Sequence, residues 1–420
     1  MIFLAGSLDM NGGSTFLIRF ARASLITAKK IDIVVLNNVI DREIQSELEQ
    51  YANVIPLSSL VDTRFRRCGT TQLAIFLPFN NARIEKLLEE NDRTVHAMGI
   101  FGVVYAFRLA NRFGSIKVTA GVYHQNEFAF NSSLSFVRQA KTLFASLPAE
   151  NIVFFNEYNR DVYSNYFKKD YSHSALLPIG VSLPQIKTGQ DKIIEYGHLV
   201  SVGNLVDFKT YNEHVIRSVS LLTKDYPQLR YDIYGEGNQS EFLKKLVIEL
   251  GLESVVAIHH RIPYSNFKNI VERAMGFIGS GTALLEAAAL KVPSIVGIES
   301  IKTPETYGFL SDVVGYSYNE KIEGMKLTLI KDILISLLNS SASEIQQLGE
   351  RCAAKAREFS IEKTVDGFGQ LKKSAKYLTI KLPWLFWLYC TGSFLVLALL
   401  DVLNINKKFR LRRDHSSVYK

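Results

Sequence analysis

Short apolar runs punctuated by glycine and polar turns recur along the whole chain, and between them lie longer stretches with apolar residues at helical spacing. Ile2–Leu4 is the first run; Gly6 and Asn11-Gly12-Gly13-Ser14 follow, and Thr15–Leu25 then carries Phe16, Ile18, Phe20 and Ala23 at roughly helical spacing. Ile31–Leu36 is a second buried-strand run, closed by Asn37-Asn38. Strand, glycine turn, helix and strand in that order open a Rossmann-like unit, although the complete G-x-G-x-x-G is absent. Val54–Pro56, Leu73–Leu77, Ile116–Val122, Ile152–Phe155 and Ala175–Pro178 read as further strands, with helices over Asn81–Glu90 and Gly99–Arg112. Polar Tyr123-His124-Gln125-Asn126-Glu127 follows the strand ending at Val122, the edge where open α/β sheets bind ligands.

Pro184–Glu195 is polar and reads as a linker, after which the alternation resumes. Strands are predicted at Leu199–Val202, Arg230–Tyr234, Val255–Ile258 and Met275–Ile278, and helices at Asn212–Leu222, Ser240–Leu250, Tyr264–Arg273 and Glu344–Glu358. The most informative stretch runs from Gly276 to Ile298. It reads as a strand end, a turn at Gly279-Ser280-Gly281, a helix Ala283–Leu290 capped by Thr282, and a buried strand after Pro293. The free N–H groups and positive dipole end of such a helix suit an anion, and Glu286, one turn in, suits sugar hydroxyls. An ordinary helix N-terminus with a solvated Glu286 is the alternative.

Length and composition then bound the reading. At 420 residues, 47% hydrophobic and 21% charged, the chain is globular and long enough for two cores. Its net charge of +8 is confined to residues 371–420, which hold ten Lys or Arg against two acids, so the rest is balanced. That distribution argues against a nucleic-acid groove. Cys68, Cys352 and Cys390 are isolated, which disfavours a zinc site or a disulfide framework and fits a reducing cytoplasm. Met1-Ile-Phe-Leu-Ala reads as a first strand in place of a signal peptide. Leu382–Leu400 is uncharged and long enough for roughly 28 Å of helix. Trp384, Trp387 and Tyr389 cluster at its start; Lys372, Lys373, Lys376 and Lys381 precede it, and Lys407, Lys408, Arg410, Arg412 and Arg413 follow. These flanks favour association with anionic lipid at a membrane surface over a buried core helix, without export of the C-terminus.

Four patterns in order carry a resemblance: Asn11-Gly12-Gly13; Tyr123-His124 at a strand end; Pro178-Ile-Gly-Val-Ser; and Ser201–Lys209, Tyr234–Gly237 and Thr282–Pro293 in succession. Through them the chain resembles a bacterial family-4 glycosyltransferase, from its N-terminus to about Phe368. The resemblance implies a GT-B fold, with two tandem Rossmann-like domains facing a cleft, here followed by a C-terminal hydrophobic membrane-associating helix. The domains are expected at 1–183 (acceptor), 196–370 (nucleotide-sugar donor) and 371–420 (membrane-associating tail), with the linker at 184–195.

What the resemblance implies for single residues is specific. Glu286 would bind the nucleotide ribose, Lys209 would neutralise the donor diphosphate, and His124 would face the donor sugar. Gly12, Gly13, Asn204, Gly235, Gly237, Gly279, Ser280, Gly281 and Thr282 would complete the donor site. Two positions depart from the family: Ile278 replaces its first glutamate and Asn204 its arginine. Lys209 as a solvated loop residue, His124 as a satisfied strand-end histidine, and Gly235 and Gly237 as turn formers remain open beside these roles. The implied activity is retaining transfer, without metal or other cofactor, from a nucleotide-sugar to a lipid-linked saccharide in cell-surface polysaccharide synthesis, at the cytoplasmic face of the inner membrane. A sugar-nucleotide epimerase and a non-catalytic transferase-like scaffold subunit are the alternatives.

Overall fold

A computed structural model describes residues 1–9, 12–27, 30–37, 40–68, 72–123, 126–132, 134–183, 193–263 and 266–403. The chain divides into two compact units, one joining Met1–Gly180 to Ile361–Lys420 and the other comprising Val181–Ser360.

The first unit is built on seven parallel strands: β1 (Ile2–Ala5), β2 (Ile31–Val35), β3 (Ala52–Pro56), β4 (Thr94–Met98), β5 (Lys117–Val122), β6 (Ile152–Phe154) and β7 (Ala175–Leu176), in the order β3-β2-β1-β4-β5-β6-β7. Between them run α1 (Gly12–Thr27), α2 (Arg42–Tyr51), α3 (Asn81–Glu89), α4 (Gly99–Phe113), α5 (Ser135–Ser146) and α6 (Glu157–Phe167). A sheet covered on both faces needs strands apolar on both faces, and β1 is buried at all four positions. Its side chains alternate: Ile2 and Leu4 enter one core, and Phe3 and Ala5 enter the other.

One expectation fails here and one strand goes unpredicted. Leu73–Leu77 is not a strand; Gln72–Phe76 forms 3-10 turns, a short apolar run used to cover the core beneath α4. Conversely, β4 escapes detection because His96 interrupts its apolar pattern. That histidine is fully buried between β1 and β5, with Nδ1 2.9 Å from Thr119 Oγ1 and Nε2 2.8 Å from the Tyr123 hydroxyl. Burial pushes its pKa down to about 3, so it stays neutral and its polarity is satisfied internally.

The second unit has five parallel strands, β8 (Glu195–Val202), β9 (Arg230–Tyr234), β10 (Val256–His259), β11 (Ala274–Gly279) and β12 (Ser294–Val296), ordered β10-β9-β8-β11-β12. Its helices are α7 (Tyr211–Ser220), α8 (Ser240–Glu249), α9 (Phe267–Val271), α10 (Gly281–Ala289), α11 (Ile330–Leu338) and α12 (Ala342–Ala356); β13 (Glu305–Thr306) and β14 (Thr328–Leu329) form a small antiparallel pair. The helix expected over 264–273 is limited to α9. The linker expected at 184–195 falls largely on residues 184–192, outside the described residues, and β8 already begins at Glu195.

The boundary expected at 370 moves to 360, because α13 (Ile361–Ser374) belongs to the first unit. Phe368 packs against Phe3, Phe20 and His96, with ring centroids 5.0–5.6 Å apart, so this helix closes the core over α1. The last helix, α14 (Trp384–Val402), lies on the opposite face of the same sheet, where Cys390, Phe394 and Leu397 are buried. No helix among the described residues is long and apolar enough to cross a membrane. The basic residues 407–413 lie outside the described residues.

Candidate functional site

In the second sheet, β8 and β11 are neighbours whose connections leave in opposite directions, to β9 and to β12. Crevices at the carboxyl ends of such strands are where open α/β sheets hold ligands. Two elements meet there: the loop after β8, ending in Lys209, and the turn from β11 into α10.

The turn is shaped by Gly281, whose φ of +66° would strain a side chain. Helix α10 starts at Gly281 itself, so Thr282 falls within the first turn and is not the cap expected of it. Ser280 occupies the cap position in extended conformation, but its hydroxyl donates to Glu299 Oε1 at 2.7 Å and makes no capping bond. The open donor is met from elsewhere: Gly281 N–H donates to Asn319 Oδ1 at 2.7 Å. Tyr318 donates its hydroxyl proton to the Gly281 carbonyl at 3.1 Å, and the Glu299 N–H donates to the Asn319 carbonyl at 2.7 Å. Burial first, then the charges of Glu320, Glu299 and Glu286, push the Tyr318 hydroxyl well above its usual range. Glu286, on the second turn of α10, is only 6% exposed.

The β8 loop is clamped on both sides. Gly203 N–H donates to Tyr234 O at 3.0 Å and Leu205 N–H to Glu236 O at 2.9 Å, while Asp207 accepts from Asn238 and Gln239. On the other side, Ser300 N–H donates to Phe208 O at 2.6 Å and Thr210 Oγ1 to Ile301 O at 2.8 Å. The Lys209 ammonium lies 3.0 Å from where a Cβ on Gly203 would stand. Its charge also reaches Glu299, whose carboxyl is raised by burial and drawn back down by the Ser280 hydroxyl and by Lys209.

Gly235 and Gly237 serve this clamp. A Cβ at Gly235 would stand 1.9 Å from the Gly203 carbonyl oxygen, and one at Gly237 would stand 2.0 Å from that of Leu205. Gly235→Ala is therefore expected to push the Lys209 loop outward and to cost about 1–3 kcal/mol of stability. A thermal melt checks it: an unchanged melting temperature would show that the clamp yields freely.

The structure thus brings Lys209, Ser280 and Gly281 to one sheet edge, with Thr282 and Glu286 behind them on α10. Gly279 ends β11, and a Cβ there would stand 2.7 Å from the Phe277 ring. Asn204 is exposed on the β8 loop. Gly12 and Gly13 open α1 in the first unit, and His124 lies outside the described residues. Ile278 is completely buried among core residues, with its carbonyl accepting from Ser201 Oγ at 2.6 Å, so packing accounts for an apolar residue there. Sequence reasoning missed Glu299 and Asn319. Glu299 is legible in hindsight as the first acid after the apolar run Ser294–Ile298, at the same carboxyl edge; Asn319 has no local signal. Among the described residues no group of three His, Cys, Asp or Glu side chains could hold a metal ion.

Residues 190–304 match the family of glycosyl transferases group 1. No curated protein matches the chain in sequence. Among solved structures, TarM of S. aureus, a mutant of which was crystallised with fondaparinux, alpha-GlcNAc-glycerol and UDP, is similar at 11% identity, over 89% of this chain and 99% of that one, with a TM-score of 0.60. HepE of Anabaena in complex with UDP-glucose is similar at 12% identity, over 88% and 98%, with a TM-score of 0.57. The lipopolysaccharide outer core galactosyltransferase WaaB is similar at 14% identity, over 88% and 98%, with a TM-score of 0.56. The two-domain α/β fold with parallel sheets is that of the GT-B glycosyltransferases, and the segment that matches glycosyl transferases group 1 contains Lys209, Gly281 and Glu286.

Proposed function

We propose that the chain is a retaining, family-4-type glycosyltransferase that moves a sugar from a nucleotide-sugar to a lipid-linked saccharide at the cytoplasmic face of the inner membrane. The observation that carries the reading is the pairing of a clamped Lys209 with the N-terminus of α10 at the switch point of the second sheet. A lysine and a helix N-terminus at one sheet edge suit a diphosphate, and the UDP and UDP-glucose held by structures of like fold are diphosphates of this kind. The buried Glu286 suits the ribose diol, since an ionised carboxylate accepts from two hydroxyls.

In the reaction so read, the bond between the anomeric carbon and the diphosphate oxygen breaks while Lys209 and the α10 dipole stabilise the departing charge. The acceptor hydroxyl oxygen forms the new bond on the same face of the sugar, and its proton passes to the departing phosphate oxygen. Asn319 accepts from the Gly281 N–H, so a donor bound there would exchange that amide for a phosphate oxygen.

The test is release of nucleoside diphosphate from a panel of uridine, guanosine, adenosine and thymidine diphosphate sugars by the purified protein, with and without membrane lipid extract. Turnover of one donor, increased by the extract, supports the reading. Failure of the whole panel would leave the scaffold subunit, and interconversion of the sugar without transfer would leave the epimerase.

Glu299 gives this site a pH dependence. Its folded-state pKa is raised, so it becomes ionised as pH rises through that elevated range and then opposes a diphosphate near Lys209. The diphosphate of a nucleotide-sugar does not itself titrate there. Affinity for the turned-over donor is expected to fall several-fold as pH rises, and Glu299→Gln should hold it at the low-pH value. Calorimetry across the range decides this; a variant that keeps the wild-type slope would remove Glu299 from the site.

A further inference from the structure

Helix α14 has two apolar faces with different fates. One is fixed to the first unit: Cys390, Phe394 and Leu397 are buried, Phe394 meets the rings of Phe76, Phe101 and Phe136, and Ser393 Oγ accepts from Gln139 Nε2 at 3.0 Å. The strap leading into it is also bonded down. Asn151 exchanges two hydrogen bonds of 2.8 Å with the Lys376 backbone, Leu378 N–H donates to Ile116 O at 2.9 Å, and Leu382 N–H donates to Asn111 Oδ1 at 2.8 Å. The helix is therefore part of the fold and not a loose tail.

The other face is bare. Trp384, Leu388, Leu395 and Leu399 are 71%, 60%, 49% and 58% exposed, and Tyr389 and Val396 widen the stripe. The four and seven residues between successive members keep these four on one side of a helix. No charged residue occurs from Trp384 to Leu400. A contiguous exposed stripe of this length marks an interaction surface.

We propose that this bare stripe lies flat in the interfacial layer of an anionic lipid membrane, so that α14 is an in-plane anchor holding the first unit at a fixed attitude to the lipid surface. The occupant is argued from charge and side-chain type. Exposed Lys373 and Lys381 precede the stripe in the sequence, as does Lys376, which is paired with Glu150, and Tyr377 and Trp384 are exposed in the same stretch. Lysines for phosphate headgroups, aromatic rings at the headgroup level and leucines below them are the composition of an interfacial helix. An in-plane helix also agrees with the packing, because a helix crossing the bilayer would have to strip Phe394 and Leu397 from their core. The proposal rests on the lipid-linked-acceptor reading for its purpose only.

The experiment uses the full chain and no substrate. Co-sedimentation with vesicles of phosphatidylcholine mixed with phosphatidylglycerol, and of phosphatidylcholine alone, is compared for the wild type and two variants. The triple variant Leu388→Gln, Leu395→Gln, Leu399→Gln alters only exposed positions and is expected to keep its melting temperature while losing on the order of a hundredfold in partition. Lys373→Gln with Lys381→Gln should lose about tenfold, on phosphatidylglycerol vesicles only. Wild-type protein that stays in solution with both vesicles, or a triple variant that binds as well as wild type, would overturn the proposal. So would sedimentation showing that the triple variant converts a dimer to a monomer, since the stripe would then be covered by a second copy. Nucleotide-sugar turnover in lipid-free solution reads the catalytic assignment separately.

Discussion

Replacing Glu286 by alanine is expected to weaken binding of the turned-over nucleotide-sugar about ten- to a hundredfold and to leave the fold in place. Glu286 is 6% exposed on the second turn of α10, directly behind the turn through Gly281. Removing a charged acceptor from a pair of buried hydroxyls costs about 1.5–3 kcal/mol, and every 1.4 kcal/mol is a factor of ten in affinity. Alanine is the strongest helix former, so α10 itself should not suffer. Glu286→Gln keeps the shape and one accepting oxygen and should fall between the two. Calorimetry with the donor and with the free nucleoside measures the effect. Because the contact assigned is to ribose, nucleoside and nucleotide-sugar should lose alike; equal affinity for wild type and Glu286→Ala would end the assignment.

What the sequence shows of the fold is what short periods can show. β1, β2, β9 and the turn into α10 are visible because their apolar residues are contiguous and their glycines adjacent. β4 is hidden because the polarity of His96 is satisfied by Thr119 and Tyr123, partners that are local only once the sheet has formed. The return of α13 to the first unit is hidden for the same reason: Phe368 reads as amphipathic helix wherever the chain puts it, and only contact with Phe3 and Phe20 says which core it closes. α14 is a sharper case. A segment with no charge has no polar face to reveal its orientation, so the pattern cannot separate the half packed on Phe76 and Phe136 from the half left bare.

The candidate site divides along the same line. Lys209, Gly281 and Glu286 stand next to the strands that position them, and their roles are arguable from order alone. Thr282 was the natural cap by residue type, but the strain-tolerant Gly281 starts the helix one residue earlier and leaves its N–H to Asn319, 38 positions away. Gly235 and Gly237 look like phosphate-binding glycines, yet the atoms they make room for are the carbonyls of Gly203 and Leu205. Their work is to set the height of the loop that ends in Lys209.

That loop makes Lys209→Ala the most damaging single change expected in catalysis, with turnover lower by about a hundred- to a thousandfold. The size of the effect follows from when the charge is needed. A bound diphosphate already carries its charge, but the charge on its leaving oxygen grows as the sugar departs, so a fixed cation contributes more in the transition state than in the ground state. The cation is fixed: its backbone is held through Phe208 and Thr210 to the segment after β12, and through Gly203 and Leu205 to the end of β9. Donor affinity should therefore fall less than turnover, by roughly tenfold, and affinity for the nucleoside should not change. The substitution has a second effect, on Glu299. Lys209 draws the Glu299 carboxyl downward, so without it burial dominates and Glu299 should stay protonated to higher pH. The pH dependence of donor binding in Lys209→Ala should accordingly shift upward, a signature that simple unfolding would not produce. Lys209→Arg keeps the charge in a bulkier, planar group and should recover part of the rate. Steady-state kinetics of the two variants across pH tests both claims together. A Lys209→Ala enzyme with wild-type turnover would show that α10 alone carries the leaving group.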